Sequence, residues 1–159
     1  MTDMAYGTTT YWDISVPKDY MPVEYVPDVR QDIRVGFSET VGLTIVEIEL
    51  RNGDEEAVIL HFDDGRALRI TDSDQDCCEE RYLRTDDEID RFLPSQFIGI
   101  QIKEAQVLVE NREMSDVHEV VFVDVLTTKG PITFSAHNVH NGYYGGFTVC
   151  CEVNNKVRS

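Results

Sequence analysis

Apolar and charged residues interleave along the chain once the first thirty or so residues are passed. The β pattern begins at Ile33 and is clearest where Leu43, Ile45, Ile48 and Leu50 are interspersed with Glu47 and Glu49. Alternation with a period of two marks a strand with one buried and one wetted face. Arg51-Asn52-Gly53-Asp54 then supplies a turn centred on Asn-Gly, which accepts positive φ at both central positions. Val58-Ile59-Leu60-His61-Phe62 predicts the next strand, Asp63-Asp64-Gly65-Arg66 a second hairpin turn, and Ala67 to Ile70 the return.

A polar stretch from Thr71 to Arg84 reads as a loop. Thr85-Asp86-Asp87-Glu88 has the form of a capping box, and Ile89, Phe92 and Leu93 fall at helical spacing before Pro94. One short helix near 86–93 is therefore expected. Further strands are expected over Phe97 to Val109, Glu119 to Thr127, Pro131 to Asn138 and Tyr143 to Val153, with turns at Lys129-Gly130 and His140-Asn141-Gly142. The fold class predicted is α+β, a mainly antiparallel sheet of about seven strands with one short helix.

Three regions follow. Residues 1–30 carry Pro17, Pro22 and Pro27 among Tyr6, Tyr11, Trp12, Tyr20 and Tyr25, and read as an irregular aromatic arm. Aromatic residues without a regular element favour packing on the body or on a second copy, so a homo-oligomer is an expectation. Residues 31–153 form a single β-rich domain, and 154–159 a flexible tail. The N-terminus lacks the basic and apolar regions of a secretory signal, and no run of apolar residues is long enough to span a bilayer. A cytoplasmic location is expected.

Charge narrows the function classes. Thirty acidic residues against 14 basic give a net charge of −16. Such a field opposes direct binding to nucleic acid or an anionic membrane, and favours a basic protein partner. Glu47 and Glu49 on one strand face could imitate a row of phosphates, although a solvated sheet face has the same pattern.

Catalytic and metal-binding patterns are weak. Cys77-Cys78 and Cys150-Cys151 are adjacent pairs, whereas zinc sites space their sulfurs so that a turn presents both to one ion. The carboxylates of Asp76, Glu79 and Glu80 around Cys77 and Cys78 favour the thiol over the reactive thiolate. Asp72, Asp74 and Asp76 alternate like the start of a calcium loop, but Cys77 and Leu83 stand where that loop needs glycine and glutamate. No catalytic residue, metal ligand or cofactor is assigned, and the reading leans away from an enzyme.

Two motifs remain. Asp76-Cys77-Cys78-Glu79 follows the Gly65 hairpin and precedes the acidic helix and Phe97-Ile98-Gly99; Asn141-Gly142-Tyr143-Tyr144 comes near the end. Together they resemble a family of small uncharacterised proteins common in phages and prophages. The resemblance spans about Val58 to Val153, and leaves out the arm, Gly145-Gly146 and Cys150-Cys151. It implies a phage setting, hence a host-cell cytoplasm, but no activity. The expected partner-binding residues are Asp76, Cys77, Cys78, Glu79, Arg81, Arg84, Asn141, Tyr143 and Tyr144. The leading expectation is a non-catalytic protein that binds a host protein and blocks a host defence or enzyme. Two alternatives stand beside it: a nucleotide-sequestering protein using Arg66, Arg69, Arg81 and Arg84 on phosphates, and a metal or redox protein using Cys77 and Cys78.

Overall fold

The structure is a computed structural model that describes residues 26–73, 75–76, 78–111, 116–141 and 145–154. The arm as far as residue 25, the tail from residue 155, Cys77, Tyr143 and Tyr144 lie outside the described residues.

Ten strands carry the described chain: β1 (Val29–Ile33), β2 (Thr44–Arg51), β3 (Ala57–Phe62), β4 (Ala67–Asp72), β5 (Glu79–Thr85), β6 (Ser95–Ile102), β7 (Gln106–Asn111), β8 (Asp116–Thr127), β9 (Gly130–His140) and β10 (Phe147–Asn154). One helical turn, α1 (Phe37–Thr40), precedes β2, and a 3-10 turn at Ile89–Phe92 precedes β6. The strand order is β1-β10-β4-β3-β2-β6-β8-β9-β5, with β7 beside β8. All pairings are antiparallel except β1 with β10.

Strand β6 is the joint. Ser95 and Gln96 pair with β2, whereas Phe97 to Ile102 pair with β8, and the register shifts between Phe97 and Gly99. A bulge of this kind bends a strand. The sheet therefore turns over itself at β6, and β1-β10-β4-β3-β2 faces β5-β9-β8-β7. One core fills the space between the layers: Val58, Leu60, Leu68, Ile70 and Val149 from one side, and Leu83, Val121, Val123, Ile132 and Phe134 from the other. Phe97 is fully buried at the joint, edge-on to Phe37 at 5.8 Å and tilted against Phe62 at 5.9 Å.

The two hairpins β2–β3 and β3–β4 stand where the alternating pattern puts them. The count of about seven strands is too low, for three physical reasons. Strand β1 lies across residues 29 and 30, which read as part of the arm; it gains its partner only from β10 at the far end of the chain. The stretch Phe97 to Val109 is two strands, broken at Lys103-Glu104. The polar stretch Thr71 to Arg84 contains β5, whose inward residues Glu79 and Arg81 are charged and hide the strand from any hydrophobic pattern.

The helix expected over 86–93 is only the 3-10 turn Ile89–Phe92, and Glu88 makes no side-chain cap bond. The capping chemistry is spent elsewhere. The Thr85 hydroxyl donates to the Thr133 carbonyl (2.7 Å) and accepts from the Asp87 amide (3.1 Å), while Asp87 Oδ2 accepts from the Thr133 amide (2.8 Å). These bonds tie the segment to β9.

The Asn52-Gly53 turn also closes the outer edge of β5. Glu56 Oε1 accepts from the Leu83 amide (2.8 Å) and the Asn52 side chain (2.9 Å), Glu56 Oε2 accepts from the Gly53 amide (2.8 Å), and Asn52 donates to the Leu83 carbonyl (3.0 Å). Gln75 Oε1 accepts from the Arg81 amide on the same edge (2.9 Å). An open edge strand is a template for unwanted pairing, and here side chains occupy it.

Phe97→Ala is expected to cost about 3–5 kcal/mol of unfolding free energy in urea titration, because it empties the joint between the layers. Its neighbour Ile98 is half exposed, and Ile98→Ala is expected to change stability by no more than about 0.5 kcal/mol.

Candidate functional site

The inward faces of β5, β9 and β8 change character along their length. Toward the β6 joint they are apolar, with Leu83, Ile132, Phe134, Val121 and Val123. At the opposite end they carry Glu79, Arg81, Asn138, His140 and Glu119, all buried. Strand register sets these in two rows, Glu79–His140–Val117 and Arg81–Asn138–Glu119.

Arg81 is the hub. Its Nε and Nη2 donate to Glu79 Oε1 (3.1 and 3.0 Å), Nη2 also to Glu79 Oε2 (3.1 Å), and Nη1 to Asp72 Oδ1 and the Ser73 carbonyl (both 2.8 Å). The three side chains are 6, 0 and 3% exposed for Arg81, Glu79 and Asp72, so the charges meet one another and almost no water. Asp72 belongs to β4 in the opposite layer, and the guanidinium thus bridges the sandwich.

The chain of bonds continues from Glu79. Asn138 Nδ2 donates to Glu79 Oε2 and to the Gly146 carbonyl (both 2.9 Å). The Gly146 amide donates to Glu119 Oε1 (2.8 Å), and Glu119 Oε2 lies 3.3 Å from His140 Nε2. The backbone at Gly145-Gly146 passes directly over this pair. A Cβ on Gly145 would sit 3.0 Å from both Glu119 Oε1 and His140 Nε2, and one on Gly146 would sit 2.9 Å from the Asp28 carbonyl oxygen. Only glycine fits, with φ of +143° and +82°.

The carboxyls respond differently. Burial pushes Glu79 up, but the bonds from Asn138, the Asp76 amide and Arg81 outweigh it and hold the group below its ordinary range. Asp72 is raised to about 6, because burial outweighs the pull of Arg81 and the Thr148 amide. Its Oδ2 has no hydrogen-bond partner among the described residues, and the residue lines an apolar void of about 10 Å³ with Val58, Ile70 and Val149.

The same three strands present a second cluster outward. Tyr82 and His137 are paired in register, and their rings stack at 4.7 Å with planes 8° apart. His137 Nδ1 lies 2.9 Å from His118 Nε2, and His137 Nε2 lies 2.9 Å from Ser135 Oγ. The Arg84 guanidinium caps the Tyr82 ring at 4.7 Å. Burial, followed by the charges of His118 and Arg84, lowers His137 to about 4, so this imidazole is neutral at physiological pH.

Glu79 of the first sequence motif and Asn141 of the second therefore lie at one end of the sandwich, where Glu79 pairs with His140. The Asp76 amide donates to Glu79 Oε1 (2.9 Å), and Glu79 reaches the Gly145-Gly146 segment through Asn138. Of the residues expected to contact a partner, Glu79 and Arg81 are instead buried and bonded to each other. Asp76, Cys78 and Arg84 are exposed, Asn141 is half-buried, and Cys77, Tyr143 and Tyr144 are not among the described residues. The arginines proposed for phosphates do not converge: Arg66 pairs with Asp64 and Glu39, Arg69 with Glu55, and Arg84 with Glu56. The second cysteine pair is held as thiols, Cys150 raised by burial and Cys151 pushed up to about 12 by the same cause. Glu47 and Glu49 do not form a bare acidic row, since Glu49 is engaged by His61 and Arg51.

Sequence reasoning missed Asp72, Glu119, Asn138 and His140 inside, and Tyr82, His118 and His137 outside. Gly145-Gly146 was the one visible clue, a glycine pair just ahead of a strand with no turn pattern to require it.

Arg81→Met leaves two carboxylates buried without their cation. The expected loss is about 3–5 kcal/mol in chemical denaturation at pH 7. Lysine lacks the planar fork, so Arg81→Lys is expected to recover only part of it. For Asp72 the folded carboxyl binds its proton more tightly than the unfolded one, whose value is near 3.8. Its contribution is therefore fully present below about pH 4 and declines as pH rises to about 6. Relative to Asp72→Asn, the native chain is expected to lose about 1–3 kcal/mol across that window, read from urea midpoints at stepped pH. Glu79 and Glu56, both lowered, act in the opposite sense and are common to both proteins.

No curated protein and no solved structure matches this chain. Residues 38–151 match a family described as a domain of unknown function, DUF7448. The match takes in both layers of the sandwich, the Asp-Cys-Cys-Glu loop and the Asn141 turn, and begins twenty residues before the resemblance drawn from the motifs. The chain belongs to the DUF7448 family.

Proposed function

We propose that this domain is a non-catalytic binding protein whose acidic surface docks on a basic face of a protein partner. One observation carries the reading. Every described arginine already has a carboxylate within salt-bridge distance: Arg30 with Asp28, Arg34 with Asp32, Arg51 with Glu49, Arg66 with Asp64, Arg69 with Glu55, Arg81 with Glu79, Arg84 with Glu56 and Arg91 with Glu88. With these positive charges offset pairwise, the excess behind the net charge of −16 is carboxylate. A surface of that kind steers and holds a partner of opposite sign. The same pairing weighs against the nucleotide reading, because a phosphate would have to displace an existing carboxylate at each arginine. A finer form of the proposal follows from the phage-type resemblance, in which the partner is a host enzyme or defence protein and binding blocks it.

The immobilised chain is expected to retain a basic protein from a bacterial lysate at about 0.05 M salt and to release most of it by about 0.5 M, where charges are screened beyond a few Å. Lysines at the exposed positions Glu47, Glu80 and Glu104 (E47K/E80K/E104K) are expected to weaken retention at low salt with unchanged circular dichroism. Retention that neither salt nor charge reversal alters would refute the electrostatic docking.

A further inference from the structure

The outward faces of β5, β9 and β8 carry the cluster of Tyr82, His137 and His118. His118 stands on β8 and His137 on β9, one register step apart, since His118 pairs with Val139 and His137 with Val120. Their nitrogens face each other, His118 Nε2 to His137 Nδ1, at 2.9 Å. Two imidazoles that share one tetrahedral zinc at about 2.0–2.1 Å have their nitrogens roughly 3.3 Å apart. The present separation is a few tenths of an ångström shorter than that, and binding an ion replaces the hydrogen bond between the rings with two lone pairs turned to one point.

We infer that His118 Nε2 and His137 Nδ1 form an exchangeable site for a borderline divalent transition metal such as Zn2+, with the Tyr82 hydroxyl at its rim. Three observations favour the assignment. First, His137 Nε2 lies 2.9 Å from Ser135 Oγ. Metal-binding histidines ordinarily donate their second N–H to a carboxylate, a backbone carbonyl or water; with His137 Nε2–H donating to Ser135 Oγ in that role, the Nδ1 lone pair is left for the ion. Second, the Tyr82 ring stacks on His137 and the Tyr82 hydroxyl oxygen lies 3.5 Å from His118 Nε2. The stack holds the His137 imidazole plane, and the hydroxyl lies beside His118 Nε2. Third, all three side chains project from paired strands rather than loops, so the donor positions are held by backbone ladders.

Donor type selects the ion. Imidazole nitrogen suits Zn2+, Ni2+ and Cu2+, whereas Ca2+ and Mg2+ take cages of oxygen. Two protein nitrogens and a phenol leave coordination positions for water, because all three side chains are only half-buried. The site is thus open, unlike a closed four-ligand structural zinc. The Arg84 guanidinium, over the Tyr82 ring, is a cation beside the site; it is engaged by the Leu83 carbonyl (2.6 Å) and by Glu56 (3.5 Å).

The test is calorimetric titration of the full chain with Zn2+ at neutral pH, beside imidazole 15N spectra of the same sample. Expected are one-to-one uptake and movement of the His118 Nε2 and His137 Nδ1 resonances. His118→Gln and His137→Gln are each expected to weaken uptake by roughly tenfold or more, and Ser135→Ala by a smaller factor through the lost outer hydrogen bond. His118 is half-buried and outward-facing, so His118→Gln serves as the folded control, checked by circular dichroism. Zn2+ uptake unchanged in His118→Gln, as thiol binding would give, overturns the proposal. So do imidazole resonances that stay in place with Zn2+ in excess.

Discussion

A guanidinium can be shut away from water only if carboxylates come with it, and in this protein that requirement organises one end of the sandwich. Arg81 takes Glu79 from its own strand and Asp72 from the opposite layer, each within about 3 Å. Removing two or three ions from water costs several kcal/mol apiece unless their remaining bonds are satisfied. That explains why the bonds do not stop at the ion pair. Glu79 takes an amide N–H from Asn138, Asn138 holds the Gly146 carbonyl, Gly146 donates to Glu119, and Glu119 lies against His140. The bonds run on until β4, β5, β9, β10 and β8 are joined, while Asp72 Oδ2 and Asn138 Oδ1 stay buried without a partner among the described residues.

Such a network sets register more than it adds stability. Slipping β5 by one residue against β9 would turn Glu80 and Tyr82 inward and carry Arg81 out to solvent. Asp72 would then lose its cation, and Asn138 would lose the carboxylate it donates to. Hydrophobic pairs along the apolar half of the same strands tolerate exchange of one branched residue for another; an ion pair between layers does not. The apolar half of the sandwich supplies the driving force, and the polar half selects one alignment from those that would bury similar area.

The sequence reveals the parts of the fold whose buried faces are apolar. Strands β2, β3 and β4 are visible because their buried residues, Ile45, Leu60 and Leu68 among them, are apolar and their turns carry Asn-Gly and Asp-Gly. Strand β5 does not, because two of its three core-facing residues, Glu79 and Arg81, are charged. Periodicity arguments weigh hydrophobicity, and a buried ion pair inverts the sign of the signal. The capping box at Thr85 to Glu88 failed for a related reason: the chemistry was read correctly as side chains in search of backbone amides, but Thr133 of β9 competed for them. The site was harder still. Glu79 and Asn141 are about sixty residues apart, and only the antiparallel register that sets Glu79 against His140 brings them together.

The sealed bridge and the surface ion pairs also differ in how they meet the solvent, and ionic strength separates their roles. Salt screens exposed charges over a Debye length of about 8–10 Å near physiological strength, but reaches a sealed pair much less. Arg30, Arg34 and Arg91 hold their carboxylates in the open, each more than half exposed, whereas the side chains of Arg81, Glu79 and Asp72 are sealed. Added salt therefore loosens the surface pairs and the attraction of the acidic face for a basic partner, while the bridge between the layers persists. A protein that carries so many like charges needs this division. If the register of its strands depended on surface electrostatics, the repulsion that makes the surface selective would also act against the fold.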